Sequence, residues 1–235
     1  MAITGYLAMT AAEFRIFPPK DQKIAWMACH FSPYGSALSN LPTHLPAGSL
    51  LILNDRTPIC GHDPELITCQ LTLLTEKLSC AGLLLDFQRP DEPETAALAA
   101  HLIHHLPCLT AVSHLYAKDL DCPIFLPPAP PDIPIEDYLS PWAGRDIWLE
   151  AALDGCSLEL TESGPQIKPL TDPFTNGHVD DTLCCHYQID TGSAVTFRLQ
   201  RTEEDLRRLL DRAEPLGVTH TVGLYQELGN APFCI

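Results

Sequence analysis

The chain has 235 residues, and 46% of them are hydrophobic, which is enough to bury the core of one large domain. Its 30 acidic and 14 basic residues give a net charge of −16, which argues against nucleic acid as a partner because phosphate recognition requires clustered lysine and arginine. We therefore expect a single globular domain over residues 1–235.

Three features of the sequence predict a cytoplasmic, bacterial protein. Residues 1–10 lack the basic start and the apolar run of a secretory signal. No stretch approaches the roughly twenty apolar residues that span a bilayer, so no membrane association is expected. The ten cysteines have no regular spacing, and some lie in apolar runs, such as Cys184 and Cys185, which is typical of buried thiols in a reducing compartment.

Apolar strands and amphipathic helices alternate through the first two thirds of the chain. Asp63 suits the N-cap of a helix that has Pro64 at its first position, and Pro93 begins a second helix that extends to residue 106. Runs of apolar residues predict strands at 24–31, 50–53, 82–87, 109–113, 122–126 and 146–151.

The last third of the chain changes to a hairpin pattern. Strands at 157–160 and 166–170 flank a turn signal at 162–165, and strands at 183–189 and 194–199 flank another at 190–193. Thr202 then caps a helix that extends to residue 215, with Asp205 at the capping-box position. A final strand is predicted at 220–226.

Near-continuous apolar strands that alternate with helices indicate a parallel sheet covered on both faces. About eight such strands favour a closed (β/α)8 TIM-like barrel, with the hairpins inserted near residues 157–199. An open doubly wound sheet is the alternative. No glycine-rich phosphate loop follows an early strand, so no dinucleotide cofactor is expected, and we predict that the protein needs no cofactor.

Functional side chains of a β/α barrel lie where its strands end. Asp86 ends an apolar strand, where burying an acid without a role or a partner costs free energy. Glu150 and Glu227 end two other predicted strands, and Trp148 points to the same side of its strand as Glu150. The other candidate ligand-binding residues are Asn54, Asp55, Gln88, Tyr116 and Tyr225.

Several of these candidates also have structural interpretations. Asn54 and Asp55 suit a turn, and the aromatic residues suit the core. His101, His104 and His105 share a face of a predicted helix, but no carboxylate joins them at a zinc spacing, so no metal site is expected. Signatures of a serine or cysteine nucleophile are absent from the sequence.

Residues 81–88 read AGLLLDFQ and resemble the third-strand signature DGxDxDxE of glycoside hydrolase family 18, the chitinase-like barrels. Gly82 and Asp86 match this signature, and Phe87 takes the place of its usual aromatic residue. Apolar residues at 81 and 84 replace two acids, and Gln88 stands where the family has its proton-donating glutamate. The resemblance implies a barrel that binds or hydrolyses a saccharide.

The replaced acid changes the chemistry that the resemblance implies. The family mechanism protonates the glycosidic oxygen, and an amide has no proton to give at neutral pH. Gln88 would still hydrogen-bond a sugar, and Asp86 would still orient an amide group. Proton donation would pass to Glu150 or Glu227, or it would be lost.

Two hypotheses follow, and they leave open whether the protein is an enzyme. The first is a glycoside-hydrolase-like barrel that binds or hydrolyses a sugar-like ligand at its C-terminal mouth. The second is a non-catalytic interaction protein whose inserted hairpins form the surface for a protein partner. A deep cleft that gathers Asp86, Glu150 and Glu227 favours the first, and a mouth filled by the hairpins or by apolar side chains favours the second.

Overall fold

The computed structural model describes residues 2–17, 22–34, 37–59, 61–161, 164–191 and 195–229. Its strands are β1 (Thr4–Met9), β2 (Ile24–Phe31), β3 (Leu38–Ser39), β4 (Leu50–Asn54), β5 (Gly82–Asp86), β6 (Leu109–Ser113), β7 (Ile124–Leu126), β8 (Ile147–Ala151), β9 (Gly155–Thr161), β10 (Gly164–Pro169), β11 (His178–Asp180), β12 (Cys185–Thr191), β13 (Val195–Gln200) and β14 (Val218–Leu224). Its α-helices are α1 (Ala11–Ile16), α2 (Pro64–Leu78), α3 (Pro93–His105), α4 (Ile135–Leu139), α5 (Glu203–Ala213) and α6 (Tyr225–Leu228).

Eight parallel strands close into a barrel, which confirms the predicted fold class. The order around the barrel is β1, β2, β4, β5, β6, β7, β8 and β14, and β14 pairs with β1 to complete the circle. The short strand β3 pairs antiparallel with the end of β2. The described residues of two connections, from β2 to β4 and from β6 to β7, contain no α-helix.

Alternation along each strand divides the core into an inner and an outer part. Leu50, Ile52 and Leu84 point into the barrel, where they pack in one cluster with Phe125 and Trp148. The intervening leucines of β4 and β5 point outward and share a second, larger cluster with apolar residues of α2 and α3. This alternation decides which residue at a strand end faces the mouth.

Local capping chemistry fixes where the helices begin. The Asp63 side chain accepts a hydrogen bond from Glu65 N at 3.0 Å at the start of α2. Thr202 and Asp205 form a reciprocal capping box on α5, as the sequence predicts. Thr10 and Glu13 form a second capping box on α1, a helix that the sequence interpretation missed.

The segment between β8 and α5 forms a separate five-stranded antiparallel sheet, with the order β10, β9, β13, β12, β11. It contains both predicted hairpins and adds β11 at one edge, while residues 162–163 and 192–194 of the turns lie outside the described residues. One face is apolar and partly exposed, with Leu160, Ile167 and Ile189 exposed by 47%, 57% and 48%. His186 Nδ1 lies 2.7 Å from Asp205 Oδ2 and so connects this sheet to α5.

Three sequence-based expectations about the fold are wrong. The first barrel strand is β1, which was not predicted, so the strand with the family-like signature is the fourth of the barrel and not the third. The last strand ends at Leu224, and Tyr225 begins α6. Among the cysteines, Cys69 is exposed on α2 and is not a buried thiol.

Two further findings concern the pairing of the cysteines and the capacity of the helices to cross a membrane. The eight cysteines within the described ranges are all free, while Cys60 and Cys234 lie outside those ranges. None of the described helices combines the length and the apolar character needed to cross a membrane.

Candidate functional site

A cavity of about 700 Å³ opens at the C-terminal mouth of the barrel. Apolar residues from the barrel interior form its deep part, including Ile52, Leu84 and Phe125. Polar side chains stand above them, and those at the strand ends include Asp86 and Glu150. The described lining comes from the barrel strands, their connecting loops and α1, and no described residue of the inserted sheet contributes to it.

Asp86 ends β5 and faces the cavity together with Gln88. Burial raises the pKa of the Asp86 carboxyl, and the negative charge of Asp55 adds to that rise. A hydrogen bond from the Gln88 amide, Nε2 to Oδ1 of Asp86, acts in the opposite direction and lowers the pKa. The residue in the position of the family's acid is therefore engaged as a hydrogen-bond donor to Asp86.

Glu150 lies on β8, three strands further round the barrel from Asp86. Burial raises the pKa of its carboxyl to about 7, and the negative charges of Asp86, Asp154 and Glu227 contribute further. Glu150 is thus a partly protonated carboxylic acid at neutral pH.

The loop after β5 is held in place by three side chains. The buried Asp55 carboxylate accepts hydrogen bonds from Gln88 N at 3.0 and 3.1 Å and from Arg89 N at 2.9 Å. Ser113 Oγ donates to the Phe87 carbonyl at 2.6 Å, and Tyr116 OH donates to the Arg89 carbonyl. Together these bonds fix the position of Gln88 at the mouth.

Asn54 and Asp55 both line the cavity, and both also have structural partners. Asn54 Nδ2 donates to the Met27 carbonyl at 3.1 Å, and its Oδ1 accepts from Arg56 N at 3.2 Å. The oxygens of Asp55 are engaged by the backbone of the neighbouring loop. The bond from Arg56 N agrees with the sequence-based turn interpretation for Asn54, whereas the Asp55 side chain contacts the loop after β5.

Four of the expected site residues lie away from the cavity lining. Trp148 is fully buried in the barrel, stacked on His220 with ring centroids 4.4 Å apart, because it lies one inward-facing position below Glu150. Tyr225 packs against Phe17 at 5.6 Å. The remaining two are Tyr116, which anchors the loop after β5, and Glu227.

Glu227 lies on α6 because the chain leaves the sheet at Leu224, three residues before it. Its carboxylate is exposed and accepts a hydrogen bond from Leu153 N at 3.2 Å. Its charge raises the pKa of Glu150. The structure therefore places Glu227 beside the mouth as an electrostatic neighbour of Glu150.

Three basic or ionisable residues of the lining were missed by the sequence interpretation as site candidates: Arg15, His30 and Arg56. Arg15 was missed because α1 was not predicted, although the Thr10–Glu13 capping-box spacing signals a helix start there. His30 lies near the end of β2 and Arg56 follows β4, but no spacing in the sequence distinguishes either of them from an ordinary strand-end or turn residue.

The described residues contain no group of three or more histidine, cysteine or acidic side chains arranged to hold a metal ion. His101 and His105 stack on α3 with ring centroids 4.2 Å apart, and His101 Nε2 lies 3.8 Å from Glu65. The histidines on α3 thus interact with one another and with α2.

The sequence matches no family model, and no curated protein matches it significantly. Solved structures do match. A chitinase from Chromobacterium violaceum superposes with a TM-score of 0.59 over 95% of this chain and 94% of that one, at 10% identity. The fold is that of the chitinase-like barrels.

Other similar structures extend this observation. A mutant family 18 chitinase from Cycas revoluta in complex with (GlcNAc)4 gives a TM-score of 0.59 at 11% identity, covering 94% of each chain. The spore cortex-lytic enzyme SleL of Bacillus cereus gives 0.56 at 11% identity, covering 94% of this chain and 70% of that one. At such identities the comparison establishes the barrel architecture and leaves the chemistry to the residues at the mouth.

Proposed function

We propose that this protein binds a saccharide in the mouth of its barrel and hydrolyses a glycosidic bond there, with Glu150 as the proton donor. The observation that carries the proposal is a half-buried carboxyl that lines a deep cavity and has a pKa of about 7. Such a group is protonated in a large fraction of molecules at neutral pH, as a general acid must be.

Asp86 supplies the second carboxyl of this proposed site. It lines the same cavity from the other side, and the Gln88 amide orients its side chain. An ionised Asp86 stabilises the positive charge that develops on the sugar ring as the glycosidic bond breaks. A water molecule then bonds to the anomeric carbon, and one of its protons returns to Glu150. Gln88 hydrogen-bonds Asp86 and offers its carbonyl oxygen to the ligand, while the acid function lies with Glu150.

The comparisons support the ligand class in this proposal. Chitinases are among the similar structures, and two of the family 18 structures from Cycas revoluta contain (GlcNAc)3 or (GlcNAc)4. A chitinase-like agglutinin from Robinia pseudoacacia has the same fold, with a TM-score of 0.58 at 11% identity. The architecture thus occurs in proteins named for action on, or recognition of, saccharides.

The test is turnover of fluorogenic glycosides of N-acetylglucosamine and its oligomers by the purified protein. Glu150→Gln should abolish turnover and retain saccharide binding, because the amide has a similar shape and no acidic proton. Glu76→Gln is the matched control, since Glu76 is an exposed residue of α2. Wild-type activity should fall as pH rises above about 7, where Glu150 loses its proton. Unchanged turnover in Glu150→Gln would refute the assignment.

A second candidate is a non-catalytic barrel that binds a protein partner through its inserted sheet. The observation in its favour is the apolar, partly exposed face that carries Leu160, Ile167 and Ile189. Under this function Ile167→Lys and Ile189→Lys would abolish partner binding, and Glu150→Gln would leave it unchanged. A protein that turns over no glycoside and binds no saccharide would favour this second candidate.

A further inference from the structure

Two arginines face the cavity without an acidic partner. Arg15 on α1 and Arg56 after β4 both line it. Within the described ranges neither guanidinium forms a salt bridge, although Arg15 Nε donates to the Ala11 carbonyl at 2.9 Å. The terminal nitrogens of Arg15 and the whole guanidinium of Arg56 are therefore available to a ligand.

Such availability is notable in a chain with 30 acidic and 14 basic residues. Elsewhere in the described ranges, Arg208 pairs with Asp181 at 2.7 Å, and Arg212 pairs with Glu136 at 2.7 Å. Arg145 and Arg201 donate to backbone carbonyls instead, and the exposed Arg207 has no acidic partner among the described residues. Two arginines that line one cavity and lack such partners indicate that this part of the cavity is suited to an anionic group.

The order of strands groups the basic residues of the mouth. Arg15, His30 and Arg56 follow or end β1, β2 and β4, which are three successive strands of the barrel. Asp86 ends the next strand, and Glu150 lies on β8, further round the circle. Both arginines therefore lie in one arc of the cavity. Asp55 lies in the same arc, but its carboxylate accepts hydrogen bonds from the backbone of the loop after β5. Asp86 and Glu150 stand at the edge of the arc and beyond it.

We propose that the cavity takes a saccharide that carries a carboxylate, with that group held against Arg15 and Arg56. This inference rests on the proposed saccharide function and specifies its substrate class. The planar guanidinium fork matches the two oxygens of a carboxylate. A neutral sugar in the same place would offer hydroxyl oxygens, which accept hydrogen bonds from a guanidinium group but lack the negative charge that makes a carboxylate the stronger acceptor. A dianionic group such as phosphate is disfavoured because Asp86 and Asp55 already place negative charge at the cavity.

The experiment is calorimetric titration with two acid sugars and their methyl esters. N-acetylmuramic acid carries the carboxylate on a lactyl ether, and glucuronic acid carries it on the ring, so the two pairs distinguish where the group must lie. At least one acid should bind about tenfold or more tightly than its ester, since a charge-assisted hydrogen bond is lost in the ester. Arg15→Gln and Arg56→Gln should each remove most of this preference.

The control is Arg207→Gln, which removes the same charge from an exposed residue of α5 that does not line the cavity. It should keep the full preference for the acid, and thermal melts of all three variants check that they are folded. Equal binding of acid and ester in both pairs, or an equal loss in Arg207→Gln, would overturn the inference while saccharide binding itself remained. Absence of binding by every saccharide, including N-acetylglucosamine oligomers, would instead overturn the proposed function.

Discussion

Replacing Glu150 by glutamine should stabilise the folded protein, and the gain should increase with pH. The pKa of this carboxyl rises from an ordinary 4.5 to about 7 in the folded protein, mainly because of burial. At about 1.4 kcal/mol for each tenfold change in an ionisation equilibrium, this rise corresponds to about 3 kcal/mol of stability lost when Glu150 ionises. The mouth is open to water, which screens the charge, so we expect a gain of about 1–3 kcal/mol.

The direction with pH follows from the sign of the shift. A carboxyl whose pKa is higher in the folded than in the unfolded protein makes folding less favourable as it ionises. This penalty is absent below about pH 4.5, grows between pH 4.5 and about 7, and is constant above that range. Wild type and Glu150→Gln should therefore differ least in acid and most above neutrality.

Urea denaturation of both proteins across this pH range measures the difference directly. Glu76→Gln, the exposed control on α2, should differ from wild type by a small and nearly constant amount. A difference between wild type and Glu150→Gln that does not change with pH would refute the reasoning. If Glu150→Gln were less stable than wild type at alkaline pH, partners in the folded wild-type protein would have to stabilise the ionised Glu150.

Three further predictions concern the neighbours of Glu150. Asp86→Asn should lower the pKa of Glu150, because one negative charge near it is removed, and an NMR titration of the Glu150 carboxyl carbon measures this. Asp55→Asn should destabilise the protein by about 2–3 kcal/mol in thermal or urea unfolding, since the backbone N–H groups of Gln88 and Arg89 lose a charged acceptor. Gln88→Glu should raise glycoside turnover, because the negative charge of Asp86 raises the pKa of the new carboxyl, which becomes a second proton donor. An unchanged kcat would contradict contact between this position and the substrate.

The barrel fold could be predicted from the sequence because its strands are buried on both faces and therefore appear as apolar runs. β4 and β5 are nearly continuous leucine, and clear N-cap residues mark the helices α2 and α5. β1 escaped notice because Thr4–Met9 mixes a glycine and a threonine with its apolar residues. The helix α6 was missed because Tyr225 continues the apolar pattern of β14 while the backbone already turns.

Part of the site could also be predicted from the sequence, because the apolar strands show where the barrel strands end. Asp86 and Glu150 lie at the ends of apolar strands, and this position predicted that they face the mouth, where the structure places both. Alternation cannot say how deep a side chain lies, and for this reason Trp148 was expected at the ligand although it is buried beneath Glu150. The position of Arg15 depends on α1 folding over the barrel end, which no local pattern specifies.

The inserted sheet leaves and rejoins the barrel at almost the same point. Arg201 N, at its end, donates to the Asp154 carbonyl, at its start, over 3.0 Å. A chain whose two ends already meet can be lengthened, shortened or exchanged at little cost in loop-closure entropy. This junction beside the mouth is therefore a natural grafting point, where evolution or a protein engineer can exchange one accessory module for another and leave the register of the barrel strands unaltered.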